Sequence, residues 1–361
     1  MKWSWRIGRI AGIGIDVHAT FAFLLAWVAV AEYQRTQSLA GMIDGLIFIL
    51  AVFASVIAHE YGHALTARRY GVRTRNILIL PIGGVASLER IPSDPRQELA
   101  IAVAGPMVTL GLVALFYLIL RAIGAPMIPP TPDDFFALPF LARLMWINLY
   151  LAAFNVLPAF PMDGGRMLRA GLAMRFEYVQ ATRIAAHVGR AFALLFGIVG
   201  LAYNPFLVLI AVFVWIGATG ESWNVQLQSA LRGLPVSSVM IRDLRVVHPH
   251  DTLSRAVDHL LAGFQQDFPV VDGQGVVGVL TRTDLVKALA QHGSDAPVHV
   301  AMRSDFQVAH PAEPLEEAFS RLQGSTVRTM PVVLNGTLLG VLTLDNVGEF
   351  FMVHGATRSN R

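Results

Sequence analysis

The chain has 361 residues, 54% apolar and 15% charged, a formal net charge of +3 and no cysteine. With a positive mean hydropathy, this composition excludes an ordinary soluble enzyme, and the small charge with no basic run among aromatics excludes a nucleic-acid partner. Without thiols there are no disulfides, and His and carboxylate are left as metal ligands.

The apolar excess ends near residue 225, so the chain meets two solvents. Residues 1–16 carry Lys2, Arg6 and Arg9 among alternating apolar residues and glycines, which predicts a short hairpin at a membrane face. A first apolar span is expected over Val17 to Tyr33. It has no small-residue cleavage site behind it and is read as retained. The second runs from Gly41 to Tyr70, longer than the hydrocarbon core, so its last turns emerge into the interface. Val72 to Leu88 alternates around Pro81 and Gly83-Gly84 and predicts short strands or a re-entrant loop. Leu99 to Leu120 is a third, uncharged span; Pro126 to Phe136, with Pro129-Pro130, is a turn-rich loop. A fourth span covers Leu138 to Leu157, and Ala185 to Tyr203 and Pro205 to Gly220 complete six.

Arginine bias sets the expected orientation. Arg68, Arg69, Arg73, Arg75, Arg90 and Arg96 follow the second span, and Arg166, Arg169, Arg175 and Arg183 follow the fourth. The positive-inside rule then places both termini on the cytoplasmic side of a cell (inner) membrane.

The tail repeats itself. At an offset of 62 residues Met240 meets Met302, His248-Pro249 meets His310-Pro311, Pro269 meets Pro331, and Gly278 meets Gly340. Each copy predicts strand, helix, strand, turn, strand, helix, with Asp272-Gly273 and Asn335-Gly336 as turns. The fold class is therefore a polytopic α-helical membrane protein with short β elements, plus a soluble α/β pair. Its expected divisions are 1–224 for the membrane domain, 225–234 for a linker, 235–292 and 293–354 for the two copies, and 355–361 for a tail.

Chemistry concentrates in His59-Glu60-Tyr61-Gly62-His63, an H-E-x-x-H that follows the uncharged run Ile47 to Ala58. On a helix, His59 and His63 point at one ion, and Glu60 lies near a water bound there. The site lies about 14 Å inside the boundary marked by Arg68-Arg69, at 1.5 Å per residue. Two histidines are an incomplete zinc site, and Asp163, after a Pro-x-x-Pro turn at the same depth, is the chosen third ligand. The alternative for Asp163 is a turn residue capping a helix at Gly164.

His59-Glu60-Tyr61-Gly62-His63, taken with Asn155-Val156-Leu157-Pro158-Ala159-Phe160-Pro161-Met162-Asp163-Gly164, resembles the site-2 protease family of intramembrane zinc metalloproteases. The repeated tail resembles a CBS (cystathionine β-synthase) pair, carried by a subgroup of that family in place of a PDZ domain. The likeness implies one Zn2+ per chain on His59, His63 and Asp163, Glu60 as general base, and cleavage of a single-span membrane-protein substrate in the lipid bilayer. Release of an anti-sigma or pro-sigma factor is the implied outcome. Asn155 matches the family's Asn and donates to substrate backbone or oxyanion, or else makes an interhelical hydrogen bond. Gly83 and Gly84 pair with an unwound substrate strand, or form a plain re-entrant loop.

In the tail, Gly278-Val279-Leu280-Thr281-Arg282-Thr283-Asp284 resembles the CBS signature, with Thr281 on phosphate and Asp284 on ribose of an adenine nucleotide. Thr343 repeats the threonine, but Asn346 replaces the aspartate. The pair either binds nucleotide or serves only as a homodimer platform. Two other functions stand against the peptidase: a CBS-regulated transporter or channel, and an inactive binding scaffold.

Overall fold

The computed structural model describes residues 3–88, 92, 94–129, 131–263, 265–273 and 275–358. Lys2, Arg90, Pro130 and the last three residues of the expected tail lie outside the described residues. Two compact units divide the chain, Met1–Val225 and Gln226–Arg361.

The first unit opens with the expected hairpin, β1 (Ser4–Ile10) antiparallel to β2 (Ile13–His18). Two helices follow, α1 (Thr20–Thr36) and α2 (Leu39–Arg69), and carry the chain back so that β3 (Thr74–Leu80) lies parallel to β2. A tight turn then places β4 (Gly83–Leu88) antiparallel to β3, which completes a sheet ordered β1-β2-β3-β4. Val72 to Leu88 thus forms strands, and the re-entrant loop is ruled out. Asp16 of β2 accepts from Arg6 of β1 at 2.8 Å and from Asn76 of β3 at 2.6 Å, which ties the three strands. The sheet buries Ile13, Ile15, Ile77 and Ile79 against Phe21 of α1 and Phe53 of α2. Fully buried side chains of this size are each worth about 2 kcal/mol.

The remaining helices are α3 (Pro95–Ala122), α4 (Phe140–Val156), α5 (Asp163–Ala173), α6 (Tyr178–Tyr203) and α7 (Pro205–Leu231). Among the described residues α2, α3, α6 and α7 are long and apolar enough to cross a membrane. The first and fourth expected spans are shorter, 17 residues each in α1 and α4. The first also starts later than expected, because Val17 and His18 belong to β2. Helix α5 begins where the capping alternative for Asp163 put a helix, but with Met162 at the cap and Asp163 inside the first turn, and most of the expected linker at 225–234 is the end of α7.

Between apolar helices lipid removes the hydrophobic drive, so close approach and polar pairs do the holding. Gly62 supplies the approach of α2 to α3: a Cβ there would stand 2.7 Å from the Ala104 carbonyl oxygen. Polar pairs join α2 to α4, Asp44 with Arg143 at 2.9 Å and Ser55 with Asn148 at 3.2 Å. Since both members advance along their helices, α2 and α4 run the same way, and Asn155 lies further along α4 than Asn148.

The second unit holds α8 (Leu253–Leu261), β5 (Phe268–Asp272), β6 (Gly275–Leu280) and α9 (Arg282–His292), then α10 (Leu315–Gly324), β7 (Thr329–Leu334), β8 (Thr337–Thr343) and α11 (Leu344–Arg358). The order repeats as the duplication requires. The expected leading strand of each copy is reduced to one bridged residue, Val247 to Val270 and Ala309 to Val332. Among the described residues four further bridges cross between copies as two pairs, Ile241 to Val341 with Val279 to Arg303, and Pro235 to Pro314 with Thr252 to Pro297. The members of each pair are equivalent under the 62-residue offset, so each copy completes the other across an approximate two-fold.

Candidate metal centre

Helical spacing in α2 brings the rings of His59 and His63 edge to face with centroids 4.7 Å apart. Both residues are buried, as is Asp163. Asp163 reaches them from the first turn of α5, just after the Pro158-to-Pro161 turn. His59 Nε2 lies 3.1 Å from Asp163 Oδ2, His63 Nε2 lies 3.0 Å from the same oxygen, and the two nitrogens are 3.0 Å apart. The other carboxylate oxygen, Oδ1, faces Arg166 at 3.7 Å.

The far nitrogens decide what the near ones do. His63 Nδ1 donates to the Ile101 carbonyl at 2.7 Å. His59 Nδ1 stands 2.9 Å from Thr109 Oγ1, whose hydroxyl donates to the Gly105 carbonyl at 3.4 Å and so accepts from the ring. Both Nε2 lone pairs are thereby turned toward a carboxylate oxygen, an arrangement of like partial charges that a cation relieves. Tetrahedral zinc with bonds of about 2.0–2.2 Å spaces its ligand atoms about 3.3–3.6 Å apart, so the triangle opens only slightly to take the ion. Two imidazoles and one carboxylate form the protein donor set of a catalytic zinc site. Gly105 leaves the space that the two rings fill: a Cβ at that position would collide with Nε2 of His63 and stand 2.7 Å from Nε2 of His59.

Glu60 follows His59 on α2 and lies against β4, where a Cβ on Gly84 would be 2.7 Å from its Cγ. Gly84 thus lies against Glu60 on the edge strand of the sheet, whereas a Cβ on Gly83 would meet nothing within 4 Å. Asn155 is half-buried in the last turn of α4. The structure brings His59, His63 and Asp163 together and sets Gly84 against Glu60.

Several supporting residues escaped sequence reasoning. Thr109, the Ile101 carbonyl and the ring-clearing role of Gly105 all lie on α3. A threonine four residues after a glycine in an uncharged span was the available signal.

In the second unit a cleft of about 1250 Å³ is lined by residues of both copies, among them Thr281, Arg303, Thr343 and Asn346. Asp284, expected to hold ribose, is turned elsewhere: Arg303 grips its carboxylate at 2.5 and 2.9 Å, and Thr281 donates to it at 2.7 Å. The Arg303 guanidinium holds this carboxyl below its ordinary range. Thr281 and Thr343 cap α9 and α11 by accepting from the Asp284 and Asn346 N–H groups.

Comparison with known proteins gives the family. The model of Peptidase family M50 matches residues 47–129 and 131–196, which contain His59, Glu60, His63 and Asp163. The CBS domain model matches 236–291 and 298–351. The zinc metalloprotease MJ0392 of Methanocaldococcus jannaschii is 34% identical over 288 residues, covering 78% of this chain and 78% of that one. The Mycobacterium tuberculosis protein Rip3 is 27% identical over 380 residues, covering 96% and 93%. Among solved structures, a site-2 protease from Methanocaldococcus jannaschii is 37% identical over 61% of this chain and 95% of that one, with a TM-score of 0.46. By sequence, site chemistry and apolar helices together, the chain is a membrane protein that belongs to Peptidase family M50, the site-2 protease family of zinc metalloproteases, with a CBS pair in its C-terminal unit.

Proposed function

We propose that this protease cleaves a membrane-spanning segment of a single-span membrane protein inside the bilayer, releasing a factor such as an anti-sigma or pro-sigma factor. The observation that carries this reading is the triangle of His59 Nε2, His63 Nε2 and Asp163 Oδ2, borne by elements packed among apolar helices. These three atoms would hold one zinc per chain. When bound, zinc supplies a Lewis acid that acidifies water and polarises the scissile carbonyl.

Glu60 accepts a proton from the attacking water and returns it to the leaving amine nitrogen. A substrate helix hides its carbonyls in internal hydrogen bonds and must unwind to react. Beyond β4 no further strand pairs among the described residues, and that open edge beside Glu60 supports capture of the unwound segment by strand addition at Gly83 and Gly84. Asn155, at the end of α4, donates to that segment or to the developing oxyanion.

The arginines after α2 and after α4 support a cytosolic position for both termini and for the CBS pair. Arg169 leaves that count, because it is buried and ion-paired. The cleft lined by Thr281 and Thr343 supports an adenine nucleotide as regulator, and a homodimer platform is the alternative role of the pair. The transporter or channel alternative gives way to the family assignment, and the intact His-Glu-His-Asp set speaks against an inactive scaffold.

The test is Glu60→Gln with a co-expressed single-span substrate. Cleavage is lost while fold and zinc content stay at the parent level; persistent cleavage removes the assignment of Glu60.

A further inference from the structure

Arg169 is the largest fully buried side chain among the described residues, 1% exposed, and its partner Glu98 is 0% exposed. Nε and Nη2 of Arg169 donate to Glu98 Oε1 at 2.9 and 2.5 Å, and Nη1 pairs with Glu221. The guanidinium also lies 5.1 Å from the ring centroids of both Phe160 and Tyr178. None of these groups takes part in the proton transfers described above. Burying such an ion cluster is weak evidence for stability, since apolar replacements of similar volume are often neutral. The cluster is also incompletely satisfied: Glu98 Oε2 and the Tyr178 hydroxyl are buried without a hydrogen-bond partner.

What the cluster does accomplish is a connection. Glu98 sits on α3, three residues before Ile101, whose carbonyl orients His63, and on the helix whose Thr109 orients His59. Arg169 sits on α5, six residues after Asp163, and stacks on Phe160, three residues before it. Helix α5 has 11 residues, too few to hold its place unaided. Metal–ligand distances in a formed site hold to within about 0.2 Å, so the carboxylate needs a well-defined seat. We propose that Arg169, through Glu98, is a positioning residue that seats the Asp163 carboxylate against the two imidazoles. This inference rests on the reading of His59, His63 and Asp163 as the zinc ligands.

The test measures zinc affinity by competition with a chromophoric chelator, alongside thermal stability, in the purified full chain. Arg169→Lys keeps the buried charge but loses the planar fork. It is expected to bind zinc about 10- to 100-fold more weakly, the usual cost of losing a group that orients a ligand, with cleavage recovering as zinc is raised. Glu98→Met with Arg169→Met removes both buried charges; stability returns toward the parent while zinc affinity stays low. Parent-level zinc affinity in Arg169→Lys, or in a folded double variant, overturns the proposal. Asp163→Ala, measured beside them, separates the two claims. If it too binds zinc like the parent, the ligand reading has failed; if it alone loses zinc, only the positioning role has.

Discussion

Thr109 Oγ1 stands 2.9 Å from Nδ1 of His59, so one hydroxyl on α3 sets the tautomer of a ring on α2. Thr109→Val keeps the shape of that side chain and removes the acceptor. The ring is then free to place its proton on Nε2, where a metal must bind. Zinc affinity should drop about 10- to 100-fold by chelator competition, with little change in helix content by circular dichroism.

Gly105 gives a sharper contrast within the same helix. A methyl group there meets the near nitrogens of both histidines, which cannot swing aside while Ile101 and Thr109 hold their far sides. Gly105→Ala is expected to lose zinc and cleavage together. Gly111→Ala, where a Cβ meets nothing within 4 Å, is expected to keep both. Equal zinc content in the two variants would remove Gly105 from the account.

The pairing of Asp284 with Arg303 makes a statement about acid stability. Its carboxyl is held below the ordinary carboxylate range, chiefly by the hydrogen bond from Arg303. A depressed folded-state value means the stabilisation is fully present above the unfolded value and is lost as pH falls through the folded one. Thermal scans of the full chain should show the transition of the CBS unit weakening below about pH 4. Asp284→Asn should lower that transition at neutral pH and flatten its response to acid. An unchanged acid response in Asp284→Asn would show that the pair is not responsible.

How much was legible beforehand follows from the range of each interaction. His59 and His63 are four apart on one helix, so local geometry announced them. Asp163 was reachable because an incomplete ligand set demands a carboxylate at matching depth. The orienting groups were not reachable: Ile101 acts through a backbone carbonyl, and Glu98 and Arg169 meet only because α3 and α5 pack together. Arg169 read as a loop charge for the same reason. Asp284 followed the CBS signature in sequence, yet Arg303, which redirects it, comes from the other copy through the crossed bridge at Val279. Helix α5 entered the reading only as the alternative to ligation by Asp163, because Gly164 and Gly165 are poor helix formers; its first turn carries the aspartate.

The most direct measurement is zinc per chain, by elemental analysis, in purified parent protein and Asp163→Ala. The parent should carry one equivalent and the variant close to none, with cleavage lost in step. A full equivalent of zinc retained by Asp163→Ala would contradict the metal centre built from His59, His63 and Asp163.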